Sequence, residues 1–427
     1  METGVNLENK VIRLPVTTSN SAPEKIVAPA VLLAISFSDI TFNIFGRAES
    51  SPLPLVFITA SYFLAGRCSI SAIYYTLGLL LFFLVGLANN IPFQTAVISL
   101  VAYIQLVVVY VHYKNNGIDF TSQLCRNIIY FHLAIGFMQF SGFFDGILTP
   151  LLSLLMPRGS GSALSEIGRG VTFVTTEPSH ALQSVIFPLF ILSVSPRFYD
   201  RVLVVLTLIV TLALSQAGLV MIYLLVFFGA VAMRNVKTAL VVSVMGYLLV
   251  DLIPGRAGVA LSQLSDFVGQ LNFETLVTIS QHSGFRFPSV IASLLGLGEL
   301  PAIMGLGAWE LNILDNLSAV GFDLANLGHW RHTGELHPIK PYSLLANIAA
   351  DMWWFGVFPF FMFMAFHVRA YLKGYGMIKE PLPFAFYVLA IFSVLFLMTT
   401  GKPAFVAILG VIANFIHQKP ADAPKIN

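Results

Sequence analysis

Long apolar runs broken by short polar interruptions dominate the chain from residue 29 almost to its carboxy end. Measured against the roughly 20 residues that a helix needs to cross a hydrocarbon core, they give about twelve candidate spans. The runs centre on Pro29–Phe45, Leu53–Ala65, Ile70–Ala88, Phe93–Val111, Asn127–Phe140, Pro178–Val194, Val202–Leu214, Leu219–Met233, Val236–Ile253, Leu344–Val368, Phe384–Met398 and Ala404–Ile416. Several are short, and merging or losing one inverts the orientation of every later span. Two longer segments interrupt the rhythm, Ser141–Glu177 and Pro254–Ser343. In the second, Leu264, Phe267, Val268 and Leu271 fall at helical spacing, as do Ile313, Leu314 and Leu317, and Pro288 opens a short helix through Leu295. This pattern predicts amphipathic helices lying along the membrane–water boundary, with Trp309, Trp330, Trp353 and Trp354 placed as an interfacial belt. No internal repeat is visible, so the paired halves common in transporters find no support.

Composition sharpens this picture. Apolar residues make up 57% of the chain and charged residues 10%, with a mean hydropathy of +0.82. A soluble domain carries roughly 25% charged residues, so most of this surface must face lipid. The net charge of +2 comes from 23 basic and 21 acidic residues without a basic cluster, which excludes a nucleic-acid-binding role. Cys68 and Cys125 fall on one face of the predicted topology and do not make a disulfide scaffold.

Basic residues orient the spans, because retained cytoplasmic loops are enriched in Lys and Arg. With the amino terminus inside, fifteen of the 23 basic residues fall in the cytoplasm. Eight fall outside: Arg47, Arg158, Arg169, Arg256, Arg286, Arg331, Lys340 and Lys402. The expected fold is an all-α polytopic membrane protein of about twelve transmembrane helices, with a large extracytoplasmic loop between helices nine and ten. Its parts are a cytoplasmic tail (1–27), spans one to nine (28–253, with an outer loop at 141–177), the large outer loop (254–343), spans ten to twelve (344–417) and a second cytoplasmic tail (418–427). The polar start lacks the apolar core of a cleaved signal, so the first span reads as a retained anchor.

Three stretches could carry chemistry at the outer mouth. In Arg169-Gly-Val-Thr-Phe-Val-Thr-Thr-Glu-Pro-Ser-His-Ala181, Pro178 suits the first turn of a helix and makes Glu177 its N-cap. A carboxylate there is held anionic by the helix dipole, which is a plain capping role unless the nearby arginines give it another. Arg286 lies in Ser283-Gly-Phe-Arg286-Phe-Pro-Ser289, ahead of Gly296-Leu-Gly298 and Gly305-Leu-Gly307; it pairs with a lipid phosphate, a carboxylate or a substrate. His337-Pro-Ile-Lys340-Pro-Tyr342-Ser343 runs into the tenth span, where Asp351 either lines the same cavity as Glu177 or caps its helix. Asp39, in the first span with Ser36 and Asn43 at helical spacing, and His132, in the fifth, are intramembrane ionisable residues. Asp39 is the best argument for a proton-coupled transporter. Without a second membrane-centre carboxylate, packing between helices is the preferred reading of both residues.

Taken together, these stretches resemble the O-antigen polymerase and ligase superfamily. The resemblance rests on Arg169 with Glu177-Pro178-Ser179, the Arg286 to Gly-Leu-Gly stretch, and His337 leading into Tyr342-Ser-Leu-Leu-Ala-Asn-Ile-Ala-Ala-Asp-Met-Trp-Trp-Phe-Gly356. It covers roughly residues 30–415 in topology and is closest to the Wzy-type O-antigen and exopolysaccharide polymerases. Pro338 stands where the family's ligases tend to carry an asparagine, which weakens the ligase alternative.

The resemblance implies a GT-C-like, metal-independent glycosyltransferase of the bacterial inner membrane, without a cofactor, acting on the outer side in polysaccharide biosynthesis. Donor and acceptor would be polyprenyl-diphosphate-linked oligosaccharides, and the further partners would be membrane lipids, a chain-length regulator and a flippase. Arg169 and Arg286 would hold the leaving diphosphate through bidentate hydrogen bonds. Glu177, or else His337, would take the acceptor proton, with His180, Lys340, Tyr342 and Asp351 lining the cavity. Histidines without metal-ligand spacing and the absence of Asp-x-Asp pairs give a divalent-metal mechanism little support. From another class, the competing function is a transporter or flippase of lipid-linked sugars.

Overall fold

The structure is a computed structural model describing residues 22–40, 51–64, 69–118, 122–142, 146–147, 150–151, 171–175, 180–215, 218–234, 286–298, 303–319, 340–341, 343–374, 380–398 and 400–417. Among these the regular structure is helical, with no strand. In chain order the helices are α1 (Ala22–Ser36), α2 (Leu53–Leu64), α3 (Ile70–Ala88), α4 (Phe93–Asn116), α5 (Ser122–Ser141), α6 (Ala181–Ser193), α7 (Phe198–Ser215), α8 (Gly218–Arg234), α9 (Arg286–Leu295), α10 (Trp309–Ala319), α11 (Leu344–Gly374), α12 (Pro381–Phe396) and α13 (Ala404–His417). A 3-10 turn over Gly296–Gly298 follows α9. Four helices are long and apolar enough to cross a membrane: Ile70–Ala88, Phe93–Asn116, Phe198–Ser215 and the Leu344–Arg369 part of α11. Most of the other apolar helices are shorter, so the chain is a helical membrane-embedded protein with four helices of spanning length and composition among the described residues. The expected ninth span, Val236–Ile253, lies outside those residues.

Lipid and protein faces separate by burial rather than by polarity. All of α6 is buried, and α13 is buried from Ala404 through Asn414, so these apolar helices form the centre of the bundle. In contrast, α3 exposes Ile70, Ile73, Tyr74, Leu77, Leu81 and Leu84, the expected dress of a lipid-facing helix. The most extensive packing is of α13 on α4 and of α12 on α8. Gly410 permits the first of these, because a Cβ there would lie 2.7 Å from the Tyr110 carbonyl oxygen.

Contacts between helix termini define two ends of the bundle. At one, Arg126 on α5 forks onto Asp200 on α7, with Nε to Oδ1 at 2.6 Å and Nη2 to Oδ2 at 3.2 Å. Ser195 also donates to Asp200, and Arg201 binds Glu380 ahead of α12. Asn414 on α13 donates to the Lys114 carbonyl at the same end. These basic residues all belong to the set expected to be cytoplasmic.

At the opposite end the chain returns into the bundle twice. Residues 171–175, expected in an outer loop, are buried between α5, α6 and α7. Gln139 fixes them by accepting the Phe173 N–H at 2.7 Å and donating to the Phe173 carbonyl at 3.0 Å, while Val171 donates to Leu214. The Phe173 ring stacks on His132 at 4.3 Å, filling the space left by Gly136. The second return, residues 303–308, wedges between α3, α4 and α11.

Candidate functional site

Three buried ionisable side chains meet at this second end, each from a chain segment that has just left or is about to join a helix. Asp39 closes the turn after α1, His180 stands immediately before α6, and Lys402 lies between α12 and α13. Their exposures are 3%, 6% and 2%. The Lys402 ammonium contacts Asp39 Oδ1, and His180 Nδ1 lies 3.5 Å from Asp39 Oδ2. Burial pushes the Lys402 ammonium down to about 7. Burying such a pair costs several kcal/mol of desolvation per ion, roughly balanced by mutual attraction, so it is a poor source of stability and a frequent mark of function.

Asp39 sits differently from the sequence reading. Helix α1 ends at Ser36, so Asp39 is at a turn and not inside a span; Ser51 donates to the Ser38 carbonyl at 2.6 Å and leads the chain back toward α2. Its described partners include a lysine and a histidine. Lys402 was absent from the expected site, although one signal was present. It is a lone cation directly preceding an apolar run, assigned by the positive-inside count to the face that Asp39 approaches.

A second cluster surrounds Asp351, which is completely buried on α11. Its Oδ1 accepts the Gly307 and Trp309 N–H groups at 3.2 and 3.1 Å, and Tyr103 on α4 donates to Oδ2 at 3.0 Å. Asp351 therefore caps the start of α10, not its own helix, since free amides at a helix N-terminus attract a carboxylate. Nearby, α11 breaks at Trp353, where φ is 49° and ψ −145°. The Asp351 carbonyl receives the Gly305 N–H at 2.8 Å, the Leu306 N–H binds the Phe82 carbonyl, and Thr95 bonds the Glu310 carboxylate. Lys340 Nζ lies 6.0 Å from the Trp309 ring, so Lys340 and Asp351 share one neighbour. The arrangement makes Asp351 the anchor of the 303–309 turn.

Of the expected site residues, His180 joins the Asp39 cluster, and Lys340 and Asp351 meet around Trp309. Arg286 is the first residue of α9, which matches the short helix expected through Leu295; its side chain lies outside the described set. Arg169, Glu177, His337 and Tyr342 also lie outside the described residues. Regular helix begins at Ala181, three residues after Pro178, and Pro188 lies inside it. Segment 171–175 lies between Arg169 and His180 in the sequence. Among the described residues, no three His, Cys, Asp or Glu side chains gather as metal ligands. No protein-family model, no curated protein and no solved structure matches the chain.

Proposed function

We propose that the protein is a membrane glycosyltransferase that polymerises polyprenyl-diphosphate-linked oligosaccharide repeat units into a surface polysaccharide. The observation that carries this reading is the collection of buried ionisable groups at one end of the bundle, where Asp39, His180 and Lys402 meet. Transfer of a glycan between lipid-linked units needs cations for the departing diphosphate and a base for the acceptor hydroxyl, both at a membrane surface. In this reading Arg169 and Arg286 serve the first need, and Glu177 or else His337 serves the second.

The direct test uses purified full-length protein and repeat units still attached to polyprenyl diphosphate, extracted from cells lacking this chain. A ladder of longer glycans, formed without nucleotide sugar or added metal, is expected. Replacing Arg169, Glu177, Arg286 or His337 by alanine should abolish it while expression is retained. A single product, with all of the glycan moved onto a lipid or protein acceptor, would favour ligation instead.

One observation favours a second reading. An acid paired with a lysine inside a helical bundle is also what a proton-coupled transporter or flippase of lipid-linked sugars requires. Translocation of the lipid-linked unit across vesicles reconstituted with the protein, with no new glycosidic bond, would establish it and overturn the polymerase.

A further inference from the structure

We infer that α11 is a sprung joint: residues 296–298 and 303–309 hold it bent across Trp353, and their release lets its two halves swing apart. Such a joint operates whatever reaction the protein performs, so it goes beyond the polymerase reading. Arg286 is the first residue of α9, so opening carries along one of the two arginines assigned above to the diphosphate; that consequence alone rests on the polymerase reading.

The bend is sharp. Along an unbroken α-helix, residues 348 and 356 are about 12 Å apart on the axis, and Cβ atoms four residues apart lie about 5–6 Å from each other. In α11 a Cβ built on Gly356 would fall 2.8 Å from Ile348 Cγ2 and 2.6 Å from Met352 Cβ. Glycine at position 356 therefore makes room for the bend. Trp353 produces it, with φ 49° and ψ −145°, a combination that glycine adopts readily and a residue with a Cβ does not. Backbone in such a region persists only where the surrounding contacts over-determine it.

Contacts of that kind lie on both sides of the break. Before it, the Asp351 carbonyl accepts the Gly305 N–H at 2.8 Å, and the Asp351 carboxylate accepts the N–H groups of Gly307 and Trp309. In an unbroken helix that carbonyl belongs to the amide of Phe355, so unbending α11 sets Phe355 in competition with Gly305. After the break, Trp354 Nε1 donates to the Leu297 carbonyl at 2.9 Å. Helices α9 and α10 pack on each other as well as on α11, so the two ties belong to one unit that bridges the joint. Unbending moves Asp351 and Trp354 relative to each other, and both ties cannot survive it. The hydrogen bonds of the docked unit are thus partly offset by the strained backbone they impose, which leaves the docked state easier to open than its contacts alone would make it.

The test is hydrogen–deuterium exchange of the full-length protein in detergent, read by mass spectrometry on peptides covering 286–298 and 303–309, with α13 as the reference. Trp353→Gly and Trp353→Ala both remove the indole; glycine tolerates the bent backbone and alanine does not. Exchange in both outer peptides should be at least about five-fold slower in Trp353→Gly than in Trp353→Ala. In an ordinary helix the order reverses, because alanine is the better helix former. Gly356→Ala acts in the opposite direction, since its Cβ collides with Met352 and Ile348 only in the bent form. Both outer peptides should then exchange at least about ten-fold faster than in the wild type, while α13 is unchanged. Exchange in Trp353→Gly equal to or faster than in Trp353→Ala overturns the inference. So does a response of one outer peptide without the other, a Gly356→Ala rate equal to that of the wild type, or an increase that extends equally to α13. Should Gly356→Ala not fold, the Trp353 pair decides by itself. None of these measurements involves a glycan, so the joint can fail while the polymerase activity stands, and the reverse.

Discussion

Gly305 lies directly against Gly86 of α3, so closely that a Cβ built on Gly305 would fall 2.2 Å from the Gly86 Cα. Gly305 also adopts φ +138°, a backbone region that L side chains rarely occupy. The clash is with backbone, which cannot swing aside as a side-chain tip can. Gly305→Ala should therefore cost at least about 2 kcal/mol and displace the 303–308 turn. Thermal unfolding of the purified protein in detergent, with protease sensitivity at that turn, measures both effects.

Asp351 is the electrostatic counterpart of that fit. Removing its carboxylate strands two buried amides and the Tyr103 hydroxyl, each worth about 1–3 kcal/mol if left unsatisfied. Asp351→Ala should destabilise the fold by more than about 3 kcal/mol, and Tyr103→Phe by about 1 kcal/mol. The double variant should fall short of the sum, because the two changes remove one shared bond. A double-mutant cycle in chemical denaturant reads that coupling, and strict additivity would separate the residues.

The Arg126–Asp200 fork at the other end tests a different kind of interaction. Asp200 is fully buried, so Arg126→Ala leaves its carboxylate with Ser195 and the field of Arg197 in place of the two-armed ion pair and should cost about 3 kcal/mol. Lysine cannot reproduce the two-armed grip, and Arg126→Lys should recover only part of the loss. Replacing both members, as Arg126→Met with Asp200→Leu, should be far milder than either single change. Equal losses in the single and double variants would contradict this account.

Gly136 offers a route to the site through packing alone. A Cβ there would lie 2.2 Å from the Phe173 ring, so Gly136→Ala must push Phe173 and the 171–175 segment outward. Because that segment leads to Glu177 and His180, glycan-ladder formation should drop at least about ten-fold, even though alanine favours the helix by about 1 kcal/mol. Phe173→Ala added to Gly136→Ala removes the collision and should not lower activity further. Comparing rates with unfolding midpoints separates the local effect from a global one.

Much of the fold was legible because apolar length is a one-dimensional signal. The α2 and α3 boundaries follow directly from the runs at Leu53–Ala65 and Ile70–Ala88, and the helices at Arg286–Leu295 and Trp309–Ala319 follow from Pro288 and from the Ile313, Leu314, Leu317 spacing. The first span was misplaced because the apolar stretch through Phe45 continues past the point where the backbone turns at residues 37–39. Hydropathy cannot see that turn. Burial of 171–175 was equally hidden, since Thr172 and Thr175 read as loop residues until Gln139 is seen to bind the Phe173 backbone. The Asp39–Lys402 pair joins residues at opposite ends of the chain, a relationship that local pattern does not carry. Asp351 was noticed, and its alternatives were a cavity wall or the cap of its own helix; the amides of Gly307 and Trp309 make it the cap of another.

That pairing of chain ends bears on how the protein is made. During synthesis and membrane insertion, Asp39 and His180 are in place long before Lys402 is translated. Until the segment between α12 and α13 arrives, the nascent bundle lacks the ammonium that contacts Asp39 in the finished protein. A chain stopped short of Lys402 cannot make that contact. Closing this end of the bundle thus waits on the last part of the polypeptide.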